Sequence, residues 1–385
     1  MSGAKILFIA DEIPQSINAG SIQFMRLLKS YPSENLLIIG RKPTNNAEIL
    51  NCKYYTFEVK LIDRLRLSRL ARYLSDIQSI GLALPKLPNQ LLKIADDFKP
   101  DLIISLMQFL PFYYAAYHYS KEKKIPLVLF CHDDTEDFAN PHNIFRKELV
   151  KLNAKIYQAA SSRVCISPEM ATAWEKKYGA KSEFLYPTFS DAIQGRKLEK
   201  SVMLVNGSTL TIGYAGSLAY GYLEGINEIV TILEETNTKL KIFRDVDNRI
   251  EKSPNIEFMG YAETPEETWK KISEQCDAVI LPYSEEKKFK QLYSTHFPSK
   301  LPEYIKLNMP IIVIGPPYAN GIKWCKSKQG MLSGNKKDLK NLINFLLFSS
   351  NRLKCIGQIS QIKDFEHHSI LEKFRKIIAA IYTPG

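Results

Sequence analysis

The chain has 385 residues, of which 45% are hydrophobic and 24% are charged. This is a globular composition, and the chain is too long for one ordinary core, so we expect two domains of about 150–200 residues each. The formal net charge of +11 must face an anionic partner or be solvated, and charge alone leaves a nucleoside diphosphate, anionic lipid and nucleic acid open.

Apolar runs in the sequence are too short to span a bilayer, and Met1 to Ala10 leads directly into a strand pattern rather than a signal peptide. We therefore expect a cytoplasmic protein. The cysteines show no Cys-x-x-Cys pair and no histidine at metal-ligand spacing, which predicts reduced, mostly buried thiols and no metal site. They are Cys52, Cys131, Cys165, Cys276, Cys325 and Cys355.

Short apolar segments alternate with helical or loop segments through the first half of the chain. The predicted strands are Lys5–Ala10, Leu36–Gly40, Tyr54–Val59, Leu102–Leu106, Leu127–Cys131, Val164–Ser167 and Phe184–Pro187. Such alternation implies a mostly parallel sheet with right-handed crossovers. The first strand leads through a loop to Gly20 and Ser21, where a helix to Lys29 begins, and such a corner often faces a ligand. No Gly-x-Gly-x-x-Gly follows it, so a dinucleotide site lacks its fingerprint.

A basic segment, Lys60–Leu74, combines five cations with leucines on one helix face. It could lie on an anionic membrane, or it could be a solvated helix docked on the sheet, which we favour. An aromatic-rich stretch could extend that surface or line an acceptor cleft. It comprises Phe109, Phe112, Tyr113, Tyr114, Tyr117 and Tyr119. No recognised nucleic-acid module accompanies it.

His132, Asp133 and Asp134 directly follow a predicted strand, where parallel sheets place their ligands. Any of the three could act as a general base near an acceptor hydroxyl, or they could be ordinary turn residues. Further on, Ile166–Gly179 predicts a structural helix with proline in its first turn and glycine at its end. The polar segment Ser190–Val205 is the expected linker.

The second half predicts another set of strands, and each of two loops there could bind phosphate. The strands are Thr211–Tyr214, Leu240–Phe243, Ile256–Met259, Ala278–Leu281 and Pro310–Ile314. After the first of these strands, Gly216 and Ser217 open a glycine-containing loop in which backbone amides could approach a phosphate, although a plain turn is the alternative.

The second loop ends at Ser299, where a short helix from Lys300 to Leu307 is predicted. A hydroxyl, a cation and free amides would suit a diphosphate, and Glu303 one turn later would suit sugar hydroxyls. The alternative is a simple serine cap with an exposed lysine.

The segment Phe297–Leu301, with Glu303–Ile305 and Met309–Val313, resembles the donor-binding segment of GT-B glycosyltransferases, particularly the retaining family four. Asn18–Ser21 and Ile166–Gly179 are similar to other segments of that family. The resemblance implies an α/β GT-B fold in which two Rossmann-like domains with parallel sheets face a central cleft. The expected parts are an acceptor domain at 1–190, a nucleotide-sugar domain at 206–365 and a C-terminal helix at 366–385 that packs back on the first domain.

The resemblance also implies roles for individual residues. Catalytic roles fall on His132, Asp133 and Lys300. Donor binding falls on Gly216, Ser217, Arg244, Thr295, Ser299, Lys300, Leu301 and Glu303. Acceptor contacts fall on Gly20 and Ser21, and no metal or other cofactor is required. The sequence departs from the family pattern at three places. These are Glu224 in place of a cation, Arg244-Asp245 in place of a glycine-rich turn, and Thr295 in place of a second glutamate.

The expected function is transfer of a sugar from a nucleoside-diphosphate sugar to an acceptor hydroxyl in glycan or polysaccharide biosynthesis, with retained configuration. The acceptor could be a glycan, a lipid-linked sugar or a small molecule, and an anionic membrane could be a peripheral partner, whereas nucleic acid is not expected. A GT-B scaffold or nucleotide-binding protein without catalysis, and a nucleotide-sugar epimerase, remain as alternatives.

Overall fold

The computed structural model describes residues 3–45, 47–57, 87–133, 146–189, 193, 195 and 209–382. The predicted basic segment at 60–74, Asp134 and most of the predicted linker lie outside the described residues. The chain divides into two compact units. The first consists of Met1–Tyr186 with His368–Gly385, and the second of Pro187–His367.

The described part of the first unit is built on a sheet of seven parallel strands in the order β3-β2-β1-β4-β5-β6-β7. The strands are β1 Ile6–Ala10, β2 Leu36–Gly40, β3 Lys53–Thr56, β4 Leu102–Leu106, β5 Leu127–Cys131, β6 Ser162–Cys165 and β7 Glu183–Phe184. The helices are α1 Ala19–Leu28, α2 Asn89–Phe98, α3 Leu110–Lys123, α4 Arg146–Ala159 and α5 Pro168–Tyr178. Strands β1, β2, β4 and β5 are buried along their whole length, as expected for parallel strands covered on both faces.

Three predicted strands of this sheet end earlier than expected. The strand predicted at Tyr54–Val59 is β3 and ends at Thr56. The strand predicted at Val164–Ser167 is β6 and ends at Cys165. Ser167 instead caps α5, because its hydroxyl accepts a hydrogen bond from the Met170 amide at 3.2 Å. The last strand of this sheet is only Glu183–Phe184.

The aromatic stretch on α3 does not form an exposed surface. Phe112, Tyr113, Tyr117 and Tyr119 are all buried. The Tyr113 hydroxyl donates to Asn153 at 2.8 Å. These rings therefore hold α3 in place within the first unit, and the hypothesis of an aromatic membrane surface is wrong for them.

The described part of the second unit contains a sheet of six parallel strands in the order β10-β9-β8-β11-β12-β13. The strands are β8 Thr211–Ala215, β9 Lys239–Phe243, β10 Ile256–Phe258, β11 Ala278–Pro282, β12 Ile311–Ile314 and β13 Leu332–Gly334. The helices are α6 Tyr222–Glu235, α7 Pro265–Gln275, α8 Lys290–Thr295, α9 Lys300–Lys306, α10 Asn320–Lys326, α11 Leu339–Leu346 and α12 Ser349–Ile359. Strand β13 was not predicted, because its three residues are too short to show a period.

The C-terminal helix, α13 His367–Ile381, packs into the core of the first unit, as predicted. Its buried face includes Ile370, Phe374 and Ile378. The Phe374 ring lies 6.2 Å from that of Phe130 on β5. No helix among the described residues is long and apolar enough to cross a membrane.

Candidate active site

In the second unit the side chain of Lys300 crosses Gly216. Lys300 is the first residue of α9, and Gly216 directly follows β8 with a φ of +111°, a conformation that favours glycine. A Cβ atom at position 216 would overlap the Lys300 Cε. The glycine therefore leaves room for a lysine at the carboxyl end of the sheet, where α/β folds bind ligands.

The Lys300 ammonium lies on aromatic faces. Its Nζ is 3.8 Å from the ring centroid of Tyr222 and 5.3 Å from that of Tyr214, and it donates to the Ser217 carbonyl at 3.4 Å. Burial lowers the pKa of Lys300 to about 7, because little water remains around the charged form. The two rings act in the opposite direction, since their negative faces favour the cation. The contacts position the ammonium but leave its charge available to an anion.

A second cation, Arg244, is near enough to Tyr214 to affect its pKa. Arg244 directly follows β9, which neighbours β8 in the sheet. Burial raises the pKa of Tyr214 well above its ordinary value, and the charge of Arg244 partly offsets this. Arg244 Nη2 lies 3.6 Å from Asp247 Oδ2, and Arg244 Nε is buried with no hydrogen-bond partner among the described residues. The structure thus brings Gly216, Lys300 and Arg244 to adjoining strand ends.

Helix α9 holds the remaining donor residues in different environments. Glu303 is only 7% exposed. The Ser299 hydroxyl makes no capping hydrogen bond, so the alternative of a serine cap is wrong. The Leu301 side chain is fully buried and its amide donates to the Pro298 carbonyl at 3.1 Å. Leu301 therefore has a structural role here, and the structure does not place it as a donor contact.

Two departures from the family pattern have structural explanations. Thr295 ends α8, where it is buried and its carbonyl accepts a hydrogen bond from the Asn320 amide at 3.2 Å. Glu224 on α6, which stands where the family has a cation, pairs with Lys288 at 3.2 Å. A cation is therefore present beside this position. The sequence did not reveal Lys288, because its run of charges is typical of a solvated loop.

In the first unit, Gly20 lies against Glu12 and His132. A Cβ at Gly20 would overlap Glu12 Oε2 and lie 3.3 Å from His132 Nδ1. The Gln108 amide donates to Glu12 Oε1 at 3.2 Å. The His132 ring stacks on Phe24 at 5.3 Å with 17° between the planes. The structure therefore brings the predicted Gly20 and His132 together, with Ser21 buried in the first turn of α1.

The environment gives these groups unusual acidities. Burial, followed by the charges of Asp11 and Asp133, raises the pKa of Glu12 to about 7. Burial lowers the pKa of His132 to about 4, and the nearby Asp133 only partly opposes this. His132 is therefore neutral near pH 7, while Glu12 exchanges a proton there. A carboxylate with a pKa near the working pH is a candidate for binding or proton transfer.

Sequence reasoning missed Glu12 and Gln108. Glu12 follows β1 by two residues and Gln108 follows β4 by two, whereas His132 follows β5 directly. The rule that selected His132, a polar residue after a buried strand, would have found both. Among the described residues no group of three or more histidine, cysteine or acidic side chains is arranged to hold a metal ion, and independence from metal remains a prediction.

Residues 57–187 match the model of Glycosyltransferase Family 4. The matched residues lie in the first unit except for Pro187. The match confirms the predicted enzyme class, a glycosyltransferase, and the resemblance to this family. No curated protein sequence shows significant similarity to the chain.

Solved glycosyltransferase structures match the GT-B fold over nearly the whole chain. HepE of Anabaena, in complex with UDP, is 15% identical with a TM-score of 0.66 over 98% of this chain and 100% of its own. A glycosyltransferase of Rickettsia africae is 11% identical with a TM-score of 0.63 over 100% of each chain. Sucrose-phosphate synthase of Thermosynechococcus elongatus is 11% identical with a TM-score of 0.64 over 97% of this chain and 99% of its own. At these identities the matches confirm the fold.

Proposed function

We propose that this glycosyltransferase moves a sugar from a nucleoside-diphosphate sugar, bound by the second unit, to a hydroxyl of an acceptor bound by the first. The observation that carries the proposal is the position of Lys300, whose side chain crosses Gly216 at the end of β8, while Arg244 follows the neighbouring strand β9. Two cations at the carboxyl ends of adjoining strands suit a diphosphate. The solved relative that contains UDP supports a uridine nucleotide as the first donor to test.

The cations would act on the leaving group. When the bond between the sugar and the diphosphate breaks, the diphosphate gains negative charge, and fixed cations stabilise that charge without reorganising. A lysine with a pKa of about 7 is only partly charged in the free protein, and an adjacent diphosphate would hold it protonated. This account needs no metal ion, and metal independence is part of the proposal.

The nucleoside has candidate contacts on α9 and in the loops after β9 and β10. Glu303 would accept hydrogen bonds from the ribose hydroxyls. Val246 and Tyr261 are 70% and 63% exposed in the loops after β9 and β10. The Gly260 amide joins these loops by donating to the Arg244 carbonyl at 3.1 Å. We assign the base to these exposed apolar side chains, because a nucleobase gains most from an apolar face.

The finer parts of the proposal come from the family resemblance. They are retention of the sugar's configuration, a role in glycan or polysaccharide biosynthesis, and work in the cytoplasm on a glycan, lipid-linked or small-molecule acceptor. Contact with an anionic membrane through residues 60–74 is a further proposal.

Incubation of the protein with a panel of UDP-sugars tests the reaction class. We expect UDP release that depends on an added glycoside acceptor, together with a new glycosidic linkage detected by mass spectrometry and proton NMR. Conversion of the UDP-sugar to its epimer without an acceptor would favour the epimerase alternative. Binding of UDP with neither reaction across the panel would favour the non-catalytic alternative.

A further inference from the structure

Carboxylates crowd the edge of the first unit's sheet around Glu12. Asp11 and Glu12 follow β1, and Asp133 follows β5. Both aspartates are close enough to raise the pKa of Glu12. The charge of Arg41 opposes them, but its effect on the pKa of Glu12 is smaller than that of either aspartate. Its guanidinium lies 4.6 Å from the ring centroid of Phe109. The local potential is therefore negative in a chain whose net charge is +11.

Buried polar atoms beside these carboxylates point to a missing ligand. His132 is 6% exposed and Ser21 is fully buried. His132 Nε2 and Ser21 Oγ have no hydrogen-bond partner among the described residues. Both residues adjoin Gly20, and Glu12 Oε2 and His132 Nδ1 lie on the same side of it, next to the position that a Cβ would take. Unpaired buried polar atoms are costly, and a bound polar molecule would satisfy them.

The hydrogen-bonding capacity of this cluster favours one class of ligand. An ionised Glu12 only accepts hydrogen bonds, and Gln108 has already committed an amide hydrogen to it. Gln108 Oε1 is a further acceptor, buried without a partner among the described residues. A neutral His132 contributes one donor and one acceptor. Acceptors are therefore in excess, so a ligand must supply donors.

The two candidate sites carry opposite local charge, and this suits an anionic donor and a neutral or cationic acceptor. In the second unit Lys300 and Arg244 offer positive charge to an anionic donor. In the first unit a carboxylate or phosphate would meet Asp11, Glu12 and Asp133 at short range, and like charges brought together lower affinity. This contrast would keep the anionic donor out of the acceptor site.

We propose that Glu12, His132 and Ser21 bind the acceptor through hydroxyl or ammonium groups, and that Glu12 rejects acceptors carrying an acidic group at that point. The inference rests on the proposed function, because it specifies the acceptor class of the same enzyme. Glu12 is here a specificity-determining residue that contacts the acceptor. A neutral sugar and an amino sugar both supply the required hydrogen-bond donors. The acidic sugar of the same series also carries a carboxylate, which Glu12 would repel.

The test measures binding of simple glycosides to the whole protein by ligand-observed NMR at pH 8, with no nucleotide-sugar present. The probes are methyl glycosides of the gluco, galacto and manno series, each as the neutral sugar, the 2-amino sugar and the uronic acid. We expect a neutral or amino member of at least one series to bind, and its uronic acid to bind about tenfold or more weakly. Preference between the first two identifies hydroxyl or ammonium as the recognised group.

Glu12→Gln should narrow the gap in affinity between the preferred glycoside and its uronic acid. Glu34→Gln, an exposed control in the same unit, should leave that gap unchanged. Should Glu12→Gln fail to fold, the wild type at pH 6 supplies the comparison, because protonation of Glu12 below its pKa of about 7 should also narrow the gap. Equal or tighter binding of the uronic acids would overturn the inference. Binding of no glycoside, with UDP still bound, would overturn it and leave the donor site standing. Failure of UDP to bind would count against the proposed function separately.

Discussion

The Lys300 side chain fills the space beside Gly216 that any other residue at position 216 would need, since a Cβ there would overlap the Lys300 Cε. Gly216→Ala should therefore displace Lys300 and strain a backbone whose φ is +111°. We expect the free energy of unfolding to fall by about 1–3 kcal/mol and UDP affinity to fall with it. Chemical denaturation and calorimetry measure the two effects.

Gly357→Ala is the matched control for this substitution. Gly357 lies within α12, and a Cβ there would meet nothing within 4 Å. Alanine is the better helix former by about 1 kcal/mol, so this variant should keep or gain stability and bind UDP normally. Equal behaviour of the two alanine variants would show that Gly216 has no special role.

The pKa of Lys300 predicts how UDP binding depends on pH. Folding lowers this pKa from its ordinary value of 10.5 to about 7, so the free protein loses the charge as pH rises through 7. The charged form binds the diphosphate, and affinity should therefore fall by up to about tenfold per unit between pH 7 and 9. The terminal phosphate of UDP, with a pKa of about 6, is already ionised over this range.

Lys300→Arg removes this titration, because a guanidinium stays charged throughout. Its UDP affinity should be weaker at pH 7 and nearly constant up to pH 9. The same slope in the wild type and the arginine variant would mean that another group titrates.

The lowered pKa of Lys300 also predicts how the free energy of unfolding changes with pH. Between about pH 7 and the ordinary lysine pKa the unfolded chain binds the Lys300 proton and the folded protein does not. Stability contributed by this group therefore rises with pH across that window. Ligand-free thermal melts of the wild type and Lys300→Met at pH 7 and 9 should differ in this direction, with the wild type gaining more.

Glu303 separates a nucleotide site from a general phosphate site. Glu303→Gln keeps the side-chain size but removes the charge and one acceptor oxygen, so UDP binding should weaken about ten- to hundredfold. The 2′,3′-dideoxy analogue, which lacks the ribose hydroxyls, should hardly respond to the substitution. Equal losses for both ligands, with unchanged thermal melts, would place Glu303 away from the ribose.

The basic segment Lys60–Leu74 predicts attraction to anionic lipid. Each cation near such a surface contributes about 1 kcal/mol, so its five cations could hold the protein there at low salt. Sedimentation with phosphatidylserine vesicles at low and high ionic strength measures this. The wild type should pellet at low salt and a variant with all five cations replaced by glutamine should not. If the wild type stays in solution at low salt, the solvated-helix interpretation stands.

The sequence predicted the fold because its buried strands are continuous apolar runs. Leu36–Gly40, Leu102–Leu106 and Leu127–Cys131 begin and end where predicted. Edge elements such as β7 and β13 were shortened or missed, because two or three residues carry no usable period.

The candidate sites were less predictable, because they depend on contacts between distant residues. Lys300 was selected for its place at a helix start, yet its environment comes from Gly216 and Tyr222, far away in the chain. The acidity of Glu12 likewise arises from burial and from Asp133 on another loop. Leu301 matched the family segment, but the structure places it in the core.

Calorimetric titration of UDP into the wild type, Lys300→Ala and Lys340→Ala at pH 7 tests most directly whether the diphosphate binds at Lys300. Lys340 is an exposed lysine of the same unit, paired with Glu235, so its variant also loses one lysine but leaves the candidate site unchanged. We expect Lys300→Ala to weaken UDP binding by about 1–3 kcal/mol, the scale of a charge-assisted hydrogen bond, and Lys340→Ala to match the wild type. Unchanged UDP affinity in a folded Lys300→Ala protein would contradict the assignment.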